Sequence, residues 1–265
     1  MRAIFNIART TFGEAVRRKI ILIILILGLA FIIITPGLGI LSPRSERAAV
    51  TSLTLGLIQM TSALLAITLT IYLVPNEIDR RTIYTILCKP VRRYQFIWGK
   101  YLGAVATIGL MLLMMTLVLL AVFAFQFNDR GFNAAEAAEL AKAPLMFFFQ
   151  MSLLAAVAMF FSVWTSPIVN FFLTSGTYIA GTVFNGVFET LKESRSTSPI
   201  LRALSEAVQA ILPNFGRFQV QNAAVNPGQV IQSEAVYFGT AIGYALLYIV
   251  VMISLASVLF ENREV

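Results

Sequence analysis

Residues 76–103 read NEIDRRTIYTILCKPVRRYQFIWGKYLG, and they lie between two long uncharged runs at 48–76 and 101–128. Positions 76–100 hold eight of the 33 charged residues, although the chain is 58% hydrophobic and only 12% charged. A bilayer core about 30 Å thick is crossed by a helix of roughly 20 apolar residues, and each flanking run is long enough. The stretch therefore predicts two membrane-spanning helices joined by a charged segment at one membrane surface.

The rest of the chain repeats this pattern. Its mean hydropathy of +0.81 excludes a soluble globular domain. Unbroken apolar runs predict helices, because membrane β-barrels show short alternating segments instead. The run at 143–188 is too long for one crossing, and Pro167 after Ser166 marks a helix boundary within it. The sequence thus predicts two crossings there, joined by a tight hairpin.

The predicted fold class is an all-α integral membrane protein, with 1–265 as a single transmembrane domain of six crossings. An interfacial helix (1–19) precedes the first crossing, a charged segment (76–98) follows the second, and an outer loop with short helices (189–234) precedes the last. The predicted crossings are 20–41, 50–75, 99–127, 144–165, 167–188 and 235–260.

Lysine and arginine in short flanking segments indicate the orientation of such a protein. Basic residues are concentrated in the N-terminal arm and in the segment 76–100, whereas the first and third loops carry two each. Both termini are therefore expected in the cytoplasm. We attribute the net charge of +7 to this bias and to attraction between the basic residues and anionic lipid. No nucleic-acid partner is predicted. The long basic arm and the sequence TPGLGILS predict that the first crossing is not a cleaved signal peptide.

The sequence lacks the residues that several kinds of catalytic and metal-binding sites require. The chain has no histidine and one cysteine, Cys88, which excludes histidine-dependent triads, histidine-bound zinc and disulfides. All acidic residues lie at or outside the edges of the predicted crossings, which argues against an intramembrane enzyme. A phosphate-binding loop is missing, because Tyr94 stands where the first glycine before Gly99 and Lys100 would be. We predict no catalytic residue, metal or cofactor in this chain.

The segment 3–18 has helical spacing of apolar residues with basic residues mostly between them. It predicts an amphipathic helix in the cytoplasmic interface, either as a membrane anchor alone or as a contact for a partner. Its candidate contact residues are Phe5, Arg9, Phe12, Arg17 and Arg18.

Polar side chains within the predicted crossings indicate a second candidate site. Gln59 is costly against lipid and should face other helices or a cavity. Thr174, Tyr178 and Thr182 are four residues apart and share one helix face. Such residues serve either a translocation path or helix packing; the candidates are Gln59, Asn170, Thr174, Tyr178, Thr182 and Asn185. Gly99 and Gly103 form a small-xxx-small pair that favours close helix packing.

The charged segment itself has the features of a short helix at the cytoplasmic face. Asn76 can cap it, Glu77 and Asp79 fall in the first turn, where acidic residues are favourable, and Pro90 follows its end. A solvated positive-inside loop would need only basic residues, so the segment predicts a rigid amphipathic helix.

This segment resembles the membrane subunits of ABC-2 type transporters. The matching residues are Glu77, Arg81, Thr82, Leu87, Pro90, Arg93, Gly99, Lys100 and Gly103. The stretch IARTTFGEAVRRK (7–19) is similar to the opening helix of that family. One departure is Arg81, where many members have glycine.

The resemblance implies a permease subunit of an exporter in a prokaryotic plasma membrane. It implies a second permease chain and two cytoplasmic ATP-binding cassette subunits, which carry ATP and Mg²⁺. It also implies that the ATPase contacts a coupling helix and that the short outer helices form a gate. The coupling residues are then Glu77, Asp79, Arg80, Arg81, Thr82, Tyr84, Pro90 and Arg93. Alternatives are a non-transporting scaffold that transmits force to envelope proteins, and an ion-coupled secondary transporter.

Overall fold

The computed structural model describes residues 2–38, 46–75, 92–127, 133–193, 212–218 and 234–261, with the side chains of 183–193 outside the described part. All regular secondary structure in these ranges is helical. The helices are α1 (Arg2–Val16), α2 (Lys19–Leu38), α3 (Glu46–Thr70), α4 (Arg93–Phe127), α5 (Ala134–Ser162), α6 (Pro167–Glu193), a 3₁₀ helix (Phe215–Phe218) and α7 (Glu234–Glu261).

Five of these helices, namely α2, α3, α4, α5 and α7, are long and apolar enough to cross a membrane. The helix α6, at the position of the predicted fifth crossing, is not among the five. Its 27 residues nevertheless correspond to about 40 Å of helix, at roughly 1.5 Å per residue. The five helices indicate a multi-pass membrane protein. The sixth crossing remains a prediction.

The helix α5 is the centre of the bundle. It contacts α3, α4, α6 and α7, and its residues from Met151 to Met159 are all buried. Small side chains at Ser152, Ala155, Ala156 and Ala158 let the neighbouring backbones approach closely. By contrast, α2 and α7 expose large aliphatic residues along much of their length, as expected of helices at the periphery.

The helices α4 and α5 begin well before the crossings predicted for them. The helix α4 begins at Arg93, ahead of the predicted crossing 99–127, and α5 begins at Ala134, ahead of the crossing 144–165. Pro144 therefore lies inside α5 instead of starting it. The preceding sequence AAEAAELAK consists of strong helix formers, which extend the helix beyond the apolar run. In the helix interior, Pro144 removes one backbone hydrogen bond, which tightly packed neighbours can accommodate.

The helix α1 packs across the start of α4. A Cβ atom at Gly99 would lie 2.7 Å from Ile7 Cβ, and one at Gly103 would lie 2.6 Å from Thr11 Cβ. The two glycines are therefore used for packing within the chain, and their partner is the amphipathic N-terminal helix. Thr11 and Ala15 are buried in this contact region.

At the end of the bundle away from α1, side chains from three helices meet. Arg47 of α3 forms an ion pair with Glu136 of α5 at 2.9 Å, and its guanidinium lies 5.3 Å from the ring centre of Phe127. Both charged side chains are nearly half exposed, so the pair contributes little to stability. These contacts connect the ends of α3, α4 and α5.

Candidate translocation groove and cytoplasmic contacts

A groove of about 280 Å³ lies between α3 and α6. Its wall is mostly apolar, and the side chains with polar groups are Gln59, Ser175, Tyr178 and Thr182. None of the lining residues is charged. The complete lining consists of Gly56, Gln59, Met60, Ala63, Leu64 and Ile67 of α3, with Ser175, Tyr178, Ile179 and Thr182 of α6.

The polar part of this wall is hydrogen-bonded to the interior. Gln59 Nε2 donates to Gln150 Oε1 of α5 at 3.2 Å, and Gln150 Nε2 donates to the backbone oxygen of Phe215 at 3.1 Å. Tyr178 of α6 lines the groove together with Gln59. Since an unsatisfied amide in an apolar interior is costly, these bonds explain how glutamines are accommodated at this depth.

Gln150 was not predicted as a site residue. It is fully buried, whereas Gln59 is partly exposed to the groove. The signal was present, because Gln150 is the one amide side chain of the predicted crossing 144–165, as Gln59 is of the crossing 50–75. The criterion that identified Gln59 would also have identified Gln150.

The predicted polar face of α6 divides into two groups. Asn170 donates through Nδ2 to the oxygen of Ala158 at 3.0 Å, and Thr174 Oγ1 donates to Asn170 Oδ1 at 2.8 Å. Both side chains are fully buried; Asn170 fastens α6 to α5, and Thr174 supports Asn170 from the same helix. Tyr178 and Thr182 line the groove instead, and the side chain of Asn185 lies outside the described residues.

The segment 212–218 closes one side of this region. Phe215 and Phe218 are fully buried, and the ring of Phe215 lies 5.4 Å from that of Tyr178. Gly181 permits this approach, because a Cβ atom there would lie within 2.6 Å of the Phe215 ring. The segment also binds α7, since the amide of Asn214 donates to the Tyr244 hydroxyl at 2.9 Å.

On the predicted cytoplasmic side, Arg93 is the one candidate coupling residue within the described ranges. Its Nη1 donates to the backbone oxygens of Phe260 and Glu261, at 3.1 and 3.2 Å. The guanidinium lies 5.9 Å from the Phe260 ring, which stacks on Phe96. A cation at the carboxyl end of a helix interacts favourably with the helix dipole, so Arg93 joins the start of α4 to the end of α7.

The other seven candidates, Glu77, Asp79, Arg80, Arg81, Thr82, Tyr84 and Pro90, lie outside the described residues. The candidates on α1 and just after it differ in accessibility. Phe5, Arg9 and Arg17 are exposed, whereas Phe12 and Arg18 are half-buried. In the described ranges, no group of three or more histidine, cysteine, aspartate or glutamate side chains could hold a metal ion.

Comparison with known proteins agrees with this architecture. No curated protein matches the chain. The family model described as ABC-2 family transporter protein matches residues 5–265, which is nearly the whole sequence. Members of this family are membrane permeases of ABC transporters and associate with ATP-binding subunits. The chain therefore belongs to the ABC-2 family of transporter proteins.

Proposed function

We propose that the chain is a six-crossing permease subunit that exports an amphipathic molecule by using ATP hydrolysis on separate ATPase subunits. The observation that supports this most directly is the uncharged groove with a polar wall between α3 and α6. In this proposal, two ATP-binding cassette subunits bind the cytoplasmic face. A second permease chain, identical or homologous, completes the complex in a prokaryotic plasma membrane.

The proposed topology assigns α6 as the fifth crossing and places both termini in the cytoplasm. The helix is long enough for a bilayer about 30 Å thick, and it exposes Ile168, Phe172 and Ile179. Large apolar side chains on an outer surface favour contact with lipid. The four-residue connection between α5 and α6 then forms a hairpin on the cytoplasmic side, with Trp164 exposed within it.

The proposed substrate class follows from the groove. An apolar wall accommodates an acyl chain or ring, while the amide of Gln59 and the hydroxyl of Tyr178 can bond one hydroxyl or carbonyl group. A small inorganic ion would need charged or multiple oxygen ligands in place of its hydration shell. The groove therefore favours a lipid-like or drug-like molecule.

The proposed coupling runs through the segment 76–98 and α1. ATP can drive transport only if it binds one arrangement of the complex more tightly, by about 5.5 kcal/mol for a nearly complete switch. Arg93 supports this route, because a displacement at the start of α4 acts directly on the end of α7. The interfacial helix α1, packed on Gly99 and Gly103, would move with the same end of α4.

The test is reconstitution with the cognate ATPase subunits in phosphatidylcholine vesicles that contain a fluorescent short-chain lipid as probe. ATP-dependent movement of the probe between leaflets is expected in the wild type. Reversal of charge by Glu77→Lys or Arg81→Glu should uncouple ATP hydrolysis from this movement while the complex still assembles. Movement and lipid-stimulated hydrolysis at wild-type rates in both variants would contradict the coupling role.

A further inference from the structure

Four residues from four elements form a chain of contacts beside the groove. Gln59 of α3 bonds Gln150 of α5 at 3.2 Å, and Gln150 bonds the carbonyl of Phe215 at 3.1 Å. The Phe215 ring packs on Tyr178 of α6, with the ring centres 5.4 Å apart. Two members, Gln59 and Tyr178, line the groove, while Gln150 and Phe215 are fully buried.

Gln150 is the member that joins the groove wall to the segment 212–218. Its Oε1 accepts from Gln59 and its Nε2 donates to Phe215, so both ends of the amide are used. It lies 16 residues after the start of α5, or about 24 Å along the helix. Gln150, Phe215 and Phe218 are all fully buried, so the bond between Gln150 and the Phe215 carbonyl lies in the interior of the bundle.

The same segment has a second set of contacts on α7. The Tyr237 hydroxyl donates to the oxygen of Arg217 at 2.6 Å, and the Arg217 guanidinium lies 4.8 Å from the ring centre of Tyr244. Arg217 itself is exposed. The segment thus bridges α7 on one side and the polar wall of the groove on the other.

We infer that Gln150 is a positioning residue that holds the segment 212–218 in the bundle, and that its hydrogen bond to Gln59 keeps its amide oriented towards the Phe215 carbonyl. A groove occupant that accepts the Gln59 N–H now donated to Gln150 would break that bond and leave the Gln150 amide free to turn. Entry of an occupant and release of the segment are then linked through one side chain. The inference rests on the proposed function only in taking the groove as the substrate path.

The release of the segment can be measured without nucleotide or substrate. Trypsin cleaves after Arg217, but only when the buried Phe218 leaves its site, so the cleavage rate reports local opening. The experiment uses the full chain in phosphatidylcholine nanodiscs, with fragments identified by mass. Cleavage after the exposed Arg17, between α1 and α2, serves as the internal reference.

Gln150→Met keeps the length of the side chain and removes both hydrogen bonds. We expect cleavage after Arg217 to become about tenfold faster, because the Phe215 carbonyl loses its partner. Gln59→Met should give a smaller increase, since it leaves the bond to Phe215 in place. The double variant should be no faster than Gln150→Met alone, because both changes act on one chain of contacts.

Ser162→Ala is the matched control, on the same helix. The Ser162 hydroxyl is buried and has no hydrogen-bond partner among the described residues, so its removal should leave cleavage after Arg217 unchanged. Wild-type rates in both glutamine variants would overturn the inference. So would a parallel rise in cleavage after Arg17, because the effect would then be global.

If the Gln150→Met variant does not accumulate in the membrane, the Gln59→Met variant alone tests the inference. A faster cleavage after Arg217 supports the inference, and an unchanged rate overturns it. The outcome is independent of the proposed function, because loss of lipid movement in the reconstituted complex would leave these cleavage rates as they are.

Discussion

Attachment of α1 to α4 should be highly sensitive to a single methyl group at Gly103. In Gly103→Ala, the new Cβ would lie 2.6 Å from Thr11 Cβ and 2.7 Å from the backbone oxygen of Ala8. Carbon atoms normally approach to about 3.5–4.0 Å, so α1 must move away by about 1 Å. The Ala8 oxygen belongs to the backbone and cannot rotate aside.

Overpacking of this kind costs about 1–3 kcal/mol. Because 1.4 kcal/mol corresponds to a factor of ten, the population with α1 detached should rise about 5- to 150-fold. Alanine also has a higher helix propensity than glycine by about 1 kcal/mol. That gain stabilises α4 itself and does not relieve the contact with α1.

The assay is hydrogen–deuterium exchange of the α1 backbone amides in nanodiscs, where we expect faster exchange by the same factor. The control Gly13→Ala lies on α1, and its Cβ meets nothing within 4 Å. It should leave the exchange of α1 unchanged or slow it. Exchange of α1 at the wild-type rate in Gly103→Ala would refute the claim that the glycine contact holds this helix.

Three further changes are predicted. Arg93→Gln should accelerate hydrogen exchange in the last turn of α7 by about ten- to hundredfold, because hydrogen bonds from a charged donor contribute about 1.5–3 kcal/mol. Asn170→Leu should lower the free energy of unfolding by about 1–3 kcal/mol, measured by thermal denaturation in detergent, since it removes the bond to the Ala158 oxygen and the buried acceptor of the Thr174 hydroxyl. Gly181→Ala should displace the segment 212–218 and speed cleavage after Arg217, because its Cβ would lie 2.3 Å from a backbone oxygen. Gly176→Ala, whose Cβ meets nothing within 4 Å, should leave that cleavage unchanged.

Apolar run lengths allowed the helices to be predicted, but they did not indicate which helix is central. Both α2 and α5 are apolar around their whole circumference, and a helix of this kind is either buried or surrounded by lipid. The structure places α5 inside and leaves much of α2 exposed. This difference depends on which small side chains contact a neighbouring helix. The pattern of residues within a single helix does not indicate those contacts.

The division of the polar face on α6 has a geometric cause. An α-helix has 3.6 residues per turn, so each step of four residues rotates the side chain by about 40°. From Thr174 to Thr182 the rotation accumulates to about 80°, which turns the row from α5 towards the groove. Sequence spacing grouped these residues on one side of α6, but it could not show which of them face α5 and which face the groove.

The bond between Arg93 and the carboxyl end of α7 connects residues 167 and 168 positions apart in the chain. A force applied just before Arg93 is therefore shared by two long helices instead of acting on the nearer one alone. The end of the last helix is linked to the start of α4 through the guanidinium group of Arg93. Fusion or truncation at the C terminus would then alter the motion of α4 as well as that of α7.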